Sequence, residues 1–310
     1  MGAAESRIAC AIWLLAGSPA LAAQPPDGFN LNEVKPGVFV HLGRQLPLDV
    51  PGHDDIANIG FIAGGKCVAI IDSGGSLTIG RELRAAVGRH TSLPICYVIN
   101  THVHVDHVLG NAAFSEDRPS YVGSAALVDA IRRSRSLFVR EYAGDLDSPA
   151  GEDQVIGPDR VVAHTLTLDL GGRRLVLRAW PTAHTDCDLT IYDEKAQVLW
   201  TGDLLFRDRL PALDGSLEGW LSVLDEMMHM KAQVIVPGHG PVAHDLAAAI
   251  APERRYLTAL KDGVRAGIAR LEPMQEAIEW VAAGEQPHWL LWATVHPRNV
   301  ARAYEELEWR

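Results

Sequence analysis

The sequence predicts an α/β fold, and three features carry that expectation. Short β-branched runs bounded by Gly and Pro alternate with stretches of helical period. Histidines and aspartates stand repeatedly just past the apolar runs, so one edge of a sheet presents polar side chains again and again. The densest such point is ICYVINTHVHVDHVLG, where a buried-strand pattern over Ile95–Ile99 leads to His102, His104, Asp106 and His107. Imidazoles and a carboxylate suit a borderline ion such as zinc, and a loop anchored by a strand aims all four into one pocket. Chance would place His-x-His-x-Asp-His in roughly one such chain in a thousand, which disfavours an accidental surface cluster.

At 310 residues, 47% hydrophobic and 22% charged, the chain can bury a sizeable core in one or two domains. At its N-terminus Arg7 precedes an apolar segment, Ile8–Ala16, followed by Gly17, Ser18, Pro19 and small residues ending at Ala22 or Ala23. This pattern, with an Ala20-Leu21-Ala22 type cleavage site, predicts a signal peptide over 1–23 and a domain over 24–310. An uncleaved anchor is the alternative, because Glu5 dilutes the positive region. No later run of about 20 apolar residues exists, so no membrane association is expected after cleavage. The net charge of −11, spread without long runs, argues against a nucleic-acid partner, since phosphate binding needs a basic face. Cys10 leaves with the signal, and Cys67, Cys96 and Cys187 remain, without a CxxC pair. At most one bridge is expected, not a disulfide framework. Cys187, three residues after His184, is a candidate thiolate ligand or a buried thiol beside the site, and the latter is favoured because a full set of His and Asp ligands exists without it.

In chain order, GVFVHLGRQ, IGFIAGG and KCVAIIDSGG read as a strand meander entering a sheet. His53 and Asp54 fall in the loop between the first two, overhanging the pocket or simply solvated. The glycines of Asp72-Ser73-Gly74-Gly75 suit a tight strand-to-helix passage, and neither GxxxxGK[ST] nor GxGxxG is present. Thr78–His90 has helical period, with Ile79, Leu83 and Val87 on one face, and a short helix is expected over Val108–Phe114. YVGSAALVDAIRRSRSLFVREYAG is expected to continue as a longer helix, with Arg132, Arg133 and Arg135 on a solvated face. Asp145–Pro158 is rich in Asp, Gly and Pro, as an irregular surface loop is. VVAHTLTLDLGGRRLVLRAWPTAH predicts two strands joined across Gly171-Gly172, leading to His184. DLTIYDEK and AQVLWTGDLLF form the next hairpin and deliver Asp203. LEGWLSVLDEMMHM is an amphipathic helix, QVIVPGHGP a buried strand delivering His239, and the rest from Leu246 mostly helix packed by Trp280, Trp289 and Trp292.

The ordered set His102-His104-Asp106-His107, His184, Asp203, His239 resembles the metallo-β-lactamase superfamily. The resemblance implies an αββα sandwich with the metal site at one edge of the two sheets. It assigns His102, His104 and His184 to one zinc, Asp106, His107 and His239 to a second, and Asp203 to the bridging carboxylate. Val105 stands where small residues or Pro are common in the family, and it carries no ligand atom. More narrowly, HDDIANIGFIAGG, THVHVDHVLGNAAF, TGDLLFRDRLPALDGSLEGWL and ARAYEELEW are similar to exported zinc metallohydrolases of quinoprotein relay systems and to hydrolases found with sulfur-oxidation genes. That implies a periplasmic setting and names no substrate.

Two Zn²⁺ ions, with iron or manganese as alternatives, would hold a hydroxide nucleophile, with Asp106 orienting it and relaying its proton. No GxSxG serine elbow is present. Two divalent ions against Asp106, Asp203 and hydroxide leave a formal charge of about +1, which favours an anionic small-molecule substrate. The expectation is a hydrolase of ester, thioester or amide-type bonds. Its alternatives are a glyoxalase II-like thioesterase, a β-lactamase, an iron-containing redox enzyme and a binding protein that merely retains a metal, because the fold supports several chemistries. Asp203 argues against a specialised β-lactamase, since those classes generally lack a carboxylate there. Arg207, Arg209 and Trp220 are candidates for lining a substrate groove, and His41, His90, His164, His229, His244, His288 and His296 are expected to be structural or surface residues.

Overall fold

The computed structural model describes residues 29–308, so the expected signal segment 1–23 lies outside the described residues. A seven-stranded sheet follows chain order: β1 (Asn32–Lys35), β2 (Val38–His41), β3 (Ile59–Ala63), β4 (Val68–Ile71), β5 (Ile95–Ile99), β6 (Ser120–Ser124) and β7 (Arg160–Val162). Its first four strands pair antiparallel, and β4 to β7 pair parallel. β8 (Thr165–Asp169), β9 (Arg174–Ala179), β10 (Leu189–Asp193), β11 (Val198–Phe206) and β12 (Val234–His239) form a second sheet in the order β12-β11-β10-β9-β8, parallel only between β11 and β12.

Alternation along the strands sorts the core into layers. Ala69 and Ile71 of β4 face the second sheet, joining Ile62, Ile99, Leu175, Leu177, Ile191 and Trp200 in the layer between the sheets. Val68 and Ile70 of the same strand point the other way, onto a cluster with Leu83 of α1 (Leu77–His90) and Leu127 and Ile131 of α3 (Ala125–Glu141). β4 is therefore buried on both faces, which is why it reads as an unbroken apolar run. The outer face of the second sheet is covered by α4 (Leu217–Met227), α5 (Leu246–Ala269) and α7 (Trp292–Leu307) through Trp220, Leu224, Tyr256, Leu260 and Val300. The result is helix, sheet, sheet, helix. The short helices α2 (Val105–Val108) and α6 (Met274–Ala277) complete the set, and a 3₁₀ segment, Leu109–Asp117, extends α2.

Two expectations need correction. The stretch beginning at Tyr121 is not helical from its start: Tyr121–Ser124 belongs to β6, and the Ser124 hydroxyl then caps α3 by accepting from Leu127 N–H. A Ser cap placed directly before Ala-Ala-Leu switches the chain from strand to helix without an intervening loop. The run VVAHTLTLDL also divides, because β7 stays in the first sheet while β8 opens the second. The hairpin across Gly171 and Gly172 is as expected, both residues having positive φ. Cys67 and Cys96 form one disulfide between the start of β4 and β5, leaving Cys187 free and buried. No helix among the described residues is long and apolar enough to cross a membrane.

Candidate metal centre

The seven sequence-predicted residues converge at one edge of the two sheets. Two groups form, His102, His104, His184 and Asp203 in one and Asp106, His107 and His239 in the other, with ligand atoms inside each group within 4.8 Å of one another. β5 carries the first four residues through the turn Asn100–Val103 into α2. His184 follows β9 by a loop, and His239 ends β12. Asp203 differs from expectation because it lies inside β11, not past it. Gly202 adopts φ +52° there, and the register to β12 shifts on both sides of it, so a bulge turns the carboxylate to the edge.

Each imidazole is held by one ring nitrogen, which frees the other for the centre. His107 Nδ1 donates to Asp72 Oδ2 at 2.8 Å, and His102 Nδ1 lies 3.0 Å from the Thr101 hydroxyl, which itself donates to Asp72 at 2.8 Å. His184 Nδ1 donates to Ala212 O at 2.7 Å and His239 Nδ1 to Ile56 O at 2.8 Å. All four present Nε2. His104 is turned the other way: Nε2 meets Asp214 Oδ2 at 2.9 Å, and Nδ1 faces His184 Nε2 at 3.0 Å. Fixing of ring orientation by such outer partners is the usual architecture around a metal-binding histidine.

Asp203 spans both groups. Its Oδ2 lies 3.6, 3.4 and 3.2 Å from Nε2 of His102, His184 and His239, and its Oδ1 lies 3.1 Å from His107 Nε2. Buried and without a hydrogen bond are His102 Nε2, His107 Nε2 and Asp203 Oδ1. Orphaned polar atoms of this kind are costly unless an ion satisfies them, so the donor set fits a divalent metal. Burial, reinforced by His107, keeps His102 well below the ordinary imidazole range, and burial with the neighbouring His104 lowers His184 to about 4. Both are thus neutral at pH 7, the form in which an imidazole can bind a metal. Burial would raise the Asp203 carboxyl, but His239, His107 and His102 outweigh it and hold it well below the usual range.

Asp72 and Asp214, which hold His107 and His104, are the site-bordering residues that the sequence did not single out. Asp72 precedes Ser-Gly-Gly at a strand end and takes φ +52°, the one local signal of an unusual role. Asp214 has no local signal. Of the groove candidates, Trp220 is fully buried, with its ring centroid 5.2 Å from that of His184, and donates to Leu204 O. Arg207 donates to the carbonyls of Pro241 and Val242, and buried Arg209 stands behind His239 with Nη1 3.2 Å from Nδ1. Cys187 takes the buried-thiol alternative: burial pushes its thiol far up, and it belongs to neither metal group. His53 pairs with Asp145 at 3.0 Å, and Asp54 accepts from Ser76 while its backbone packs over Gly75, so their loop borders the site. None of the seven histidines expected to be structural or surface residues joins either group.

The fold is shared with solved structures. A metallo-beta-lactamase from Pontibacter korlensis aligns with a TM-score of 0.59 at 18% identity, over 74% of this chain and 98% of that one. A beta-lactamase domain protein from Burkholderia ambifaria gives 0.67 at 19% identity, over 93% and 89%. A stereoselective inverting sec-alkylsulfatase from Pseudomonas sp. gives 0.66 at 15% identity, over 89% of this chain and 50% of that one. At such identities the likeness speaks to the fold alone. Residues 53–239, which carry all seven converging side chains, match the metallo-beta-lactamase superfamily, and the chain belongs to that superfamily.

Proposed function

We propose that this protein is a periplasmic dinuclear-zinc hydrolase that cleaves an ester, thioester or amide-type bond in a small molecule. The position of Asp203 carries this reading: one carboxylate faces His102 and His184 with one oxygen, His107 with the other, and His239 besides, as a bridge between two ions would. In this reading His102, His104 and His184 hold one ion, Asp106, His107 and His239 the other, and Asp203 is shared. The all-nitrogen and oxygen donor set suits zinc.

Bound zinc supplies Lewis-acid polarisation of the scissile carbonyl and an acidified water. The protein supplies placement and proton handling. Burial would raise the Asp106 carboxyl, but His107 and His239 prevail and lower it, so it stands as a carboxylate able to accept a proton. Its Oδ2 lies 3.4 Å from His239 Nε2 and 3.6 Å from His107 Nε2, facing the nitrogens with which it would share an ion. Asp106 would accept the proton given up by the attacking water and return it to the leaving group.

Export is supported by the N-terminal pattern of 1–23 and by the Cys67–Cys96 disulfide, a bond that persists in oxidising compartments. The link to quinoprotein metabolism rests on the sequence segments quoted above. The deciding experiment is metal analysis joined to a panel of esters, thioesters, lactams and sulfate esters, each run with metal-stripped protein. Near two ions per chain and metal-dependent turnover are expected. A fully active protein holding one ion sinks the dinuclear assignment, and a fully loaded protein that turns over nothing sinks the hydrolase.

A further inference from the structure

The rim of the centre is completed from outside the stretch that matches the family. Helix α7 is fastened to the loop Pro211–Asp214 at two points. Asn299 donates to Pro211 O at 2.7 Å and accepts from Leu213 N–H at 2.9 Å, and Arg302 donates to Asp214 O at 2.7 Å. Arg298 stands one turn before Arg302 on the same helix, so these anchors fix where it emerges. Its guanidinium lies 3.6 Å from Asp214 Oδ1, the oxygen left over when Oδ2 binds His104. One carboxylate thus separates Arg298 from a residue of the metal centre.

Arg298 is otherwise unoccupied. Its side chain is 67% exposed and, among the described residues, it makes no hydrogen bond and no second ion pair. By contrast, Arg302 on the same helix and Arg265 on α5 each have a hydrogen-bonded carboxylate partner. With two divalent ions bound, the centre carries a formal charge of about +1, and a second solvated cation at its mouth is repelled unless an anion sits between them. Asp214 lies between them and is already engaged by His104.

We propose that Arg298 is the specificity-determining residue of this site, recognising a carboxylate- or sulfate-type oxyanion on the substrate, remote from the bond that is cleaved. The proposal rests on the hydrolase reading above. A planar guanidinium offers paired donors matched to such an oxyanion, and the outward donors of Arg298 are free for it.

The test compares full-length, metal-loaded wild type with Arg298→Ala and Arg298→Lys on two esters of one leaving group, neutral 4-nitrophenyl butyrate and anionic mono(4-nitrophenyl) succinate. Arg298→Ala should raise KM for the anionic ester by about tenfold or more, well beyond any change for the neutral one, with Lys recovering part of the loss. Calorimetry with glutarate, which needs no turnover, should show a parallel loss of affinity. Equal changes for both esters, or identical glutarate affinity in wild type and Arg298→Ala, overturns the proposal. Metal content is measured in every sample: an Ala variant that loses metal and both activities together shows that Arg298 only supports Asp214, which also overturns it. If the wild type cleaves neither ester, the hydrolase reading fails for that bond class, and the glutarate comparison alone decides Arg298.

Discussion

Asp214 Oδ2 lies 2.9 Å from His104 Nε2, and this contact turns His104 over relative to the other four imidazoles, so that Nδ1 faces the centre. The carboxylate is held below its usual range by His104, although burial opposes it. Asp214→Asn keeps the shape but weakens the hold on the ring. Metal affinity should fall by about 10- to 100-fold, with activity largely restored by excess metal. Competition against a chromogenic chelator measures it; unchanged affinity would remove Asp214 from the support of the centre.

Asp106→Asn and His184→Ala should separate proton handling from metal retention. His184→Ala removes a nitrogen, so activity should track metal occupancy and recover in part with added zinc. Asn at 106 still offers an oxygen but accepts no proton, so turnover should stay about 10² to 10⁴ lower even at full occupancy. Metal content and rate are read on the same samples. Full recovery of Asp106→Asn on loading would reduce Asp106 to a ligand.

Gly238 leaves room for the shared carboxylate. A Cβ there would sit 1.9 Å from Asp203 Oδ1 and 2.7 Å from Gly202 C, so Gly238→Ala must displace Asp203 or the bulge that carries it. A stability loss of about 1–3 kcal/mol is expected, together with a loss of stoichiometric metal. Thermal unfolding and elemental analysis check both, and an Ala variant that binds metal normally would contradict this packing.

His296 gives a pH signature away from the centre. Its buried ring stacks on Trp292 at 3.9 Å and meets the Tyr256 hydroxyl at 3.1 Å. Burial lowers it to about 4, the carbonyls of Ile278 and Val281 opposing, against an ordinary 6.5. Between those values the unfolded chain binds the extra proton, so stability is intact above about pH 6.5 and declines toward pH 4. The decline should reach up to about 3 kcal/mol. Metal-stripped His296→Gln should show less of it than metal-stripped wild type in urea unfolding at the two pH values; equal slopes would assign the acid sensitivity elsewhere.

The mature chain should begin near Ala23 or Gln24 if residues 1–23 direct export. Mass spectrometry of periplasmic material reads this directly, and intact Met1 on soluble cytoplasmic protein would end the export reading.

The sequence by itself determined the family, the α/β class and the seven converging side chains, because each signal is local. His102, His104, Asp106 and His107 fall within six residues, and β4 and β5 declare themselves by short β-branched apolar runs, that of β4 buried throughout. The strand Tyr121–Ser124 escaped notice because its ladder partners are supplied by β5 and β7, while helix-forming residues follow it at once. Tertiary structure alone decided which ring nitrogen each histidine presents, since that depends on Asp72, Ala212, Asp214 and Ile56, which come from distant segments. It also placed Asp203 inside a bulged strand and brought Arg298 from the last helix to Asp214. Donor chemistry is written in residue type and short spacing, whereas orientation is set by hydrogen bonds between elements far apart in the chain, and no local pattern encodes those.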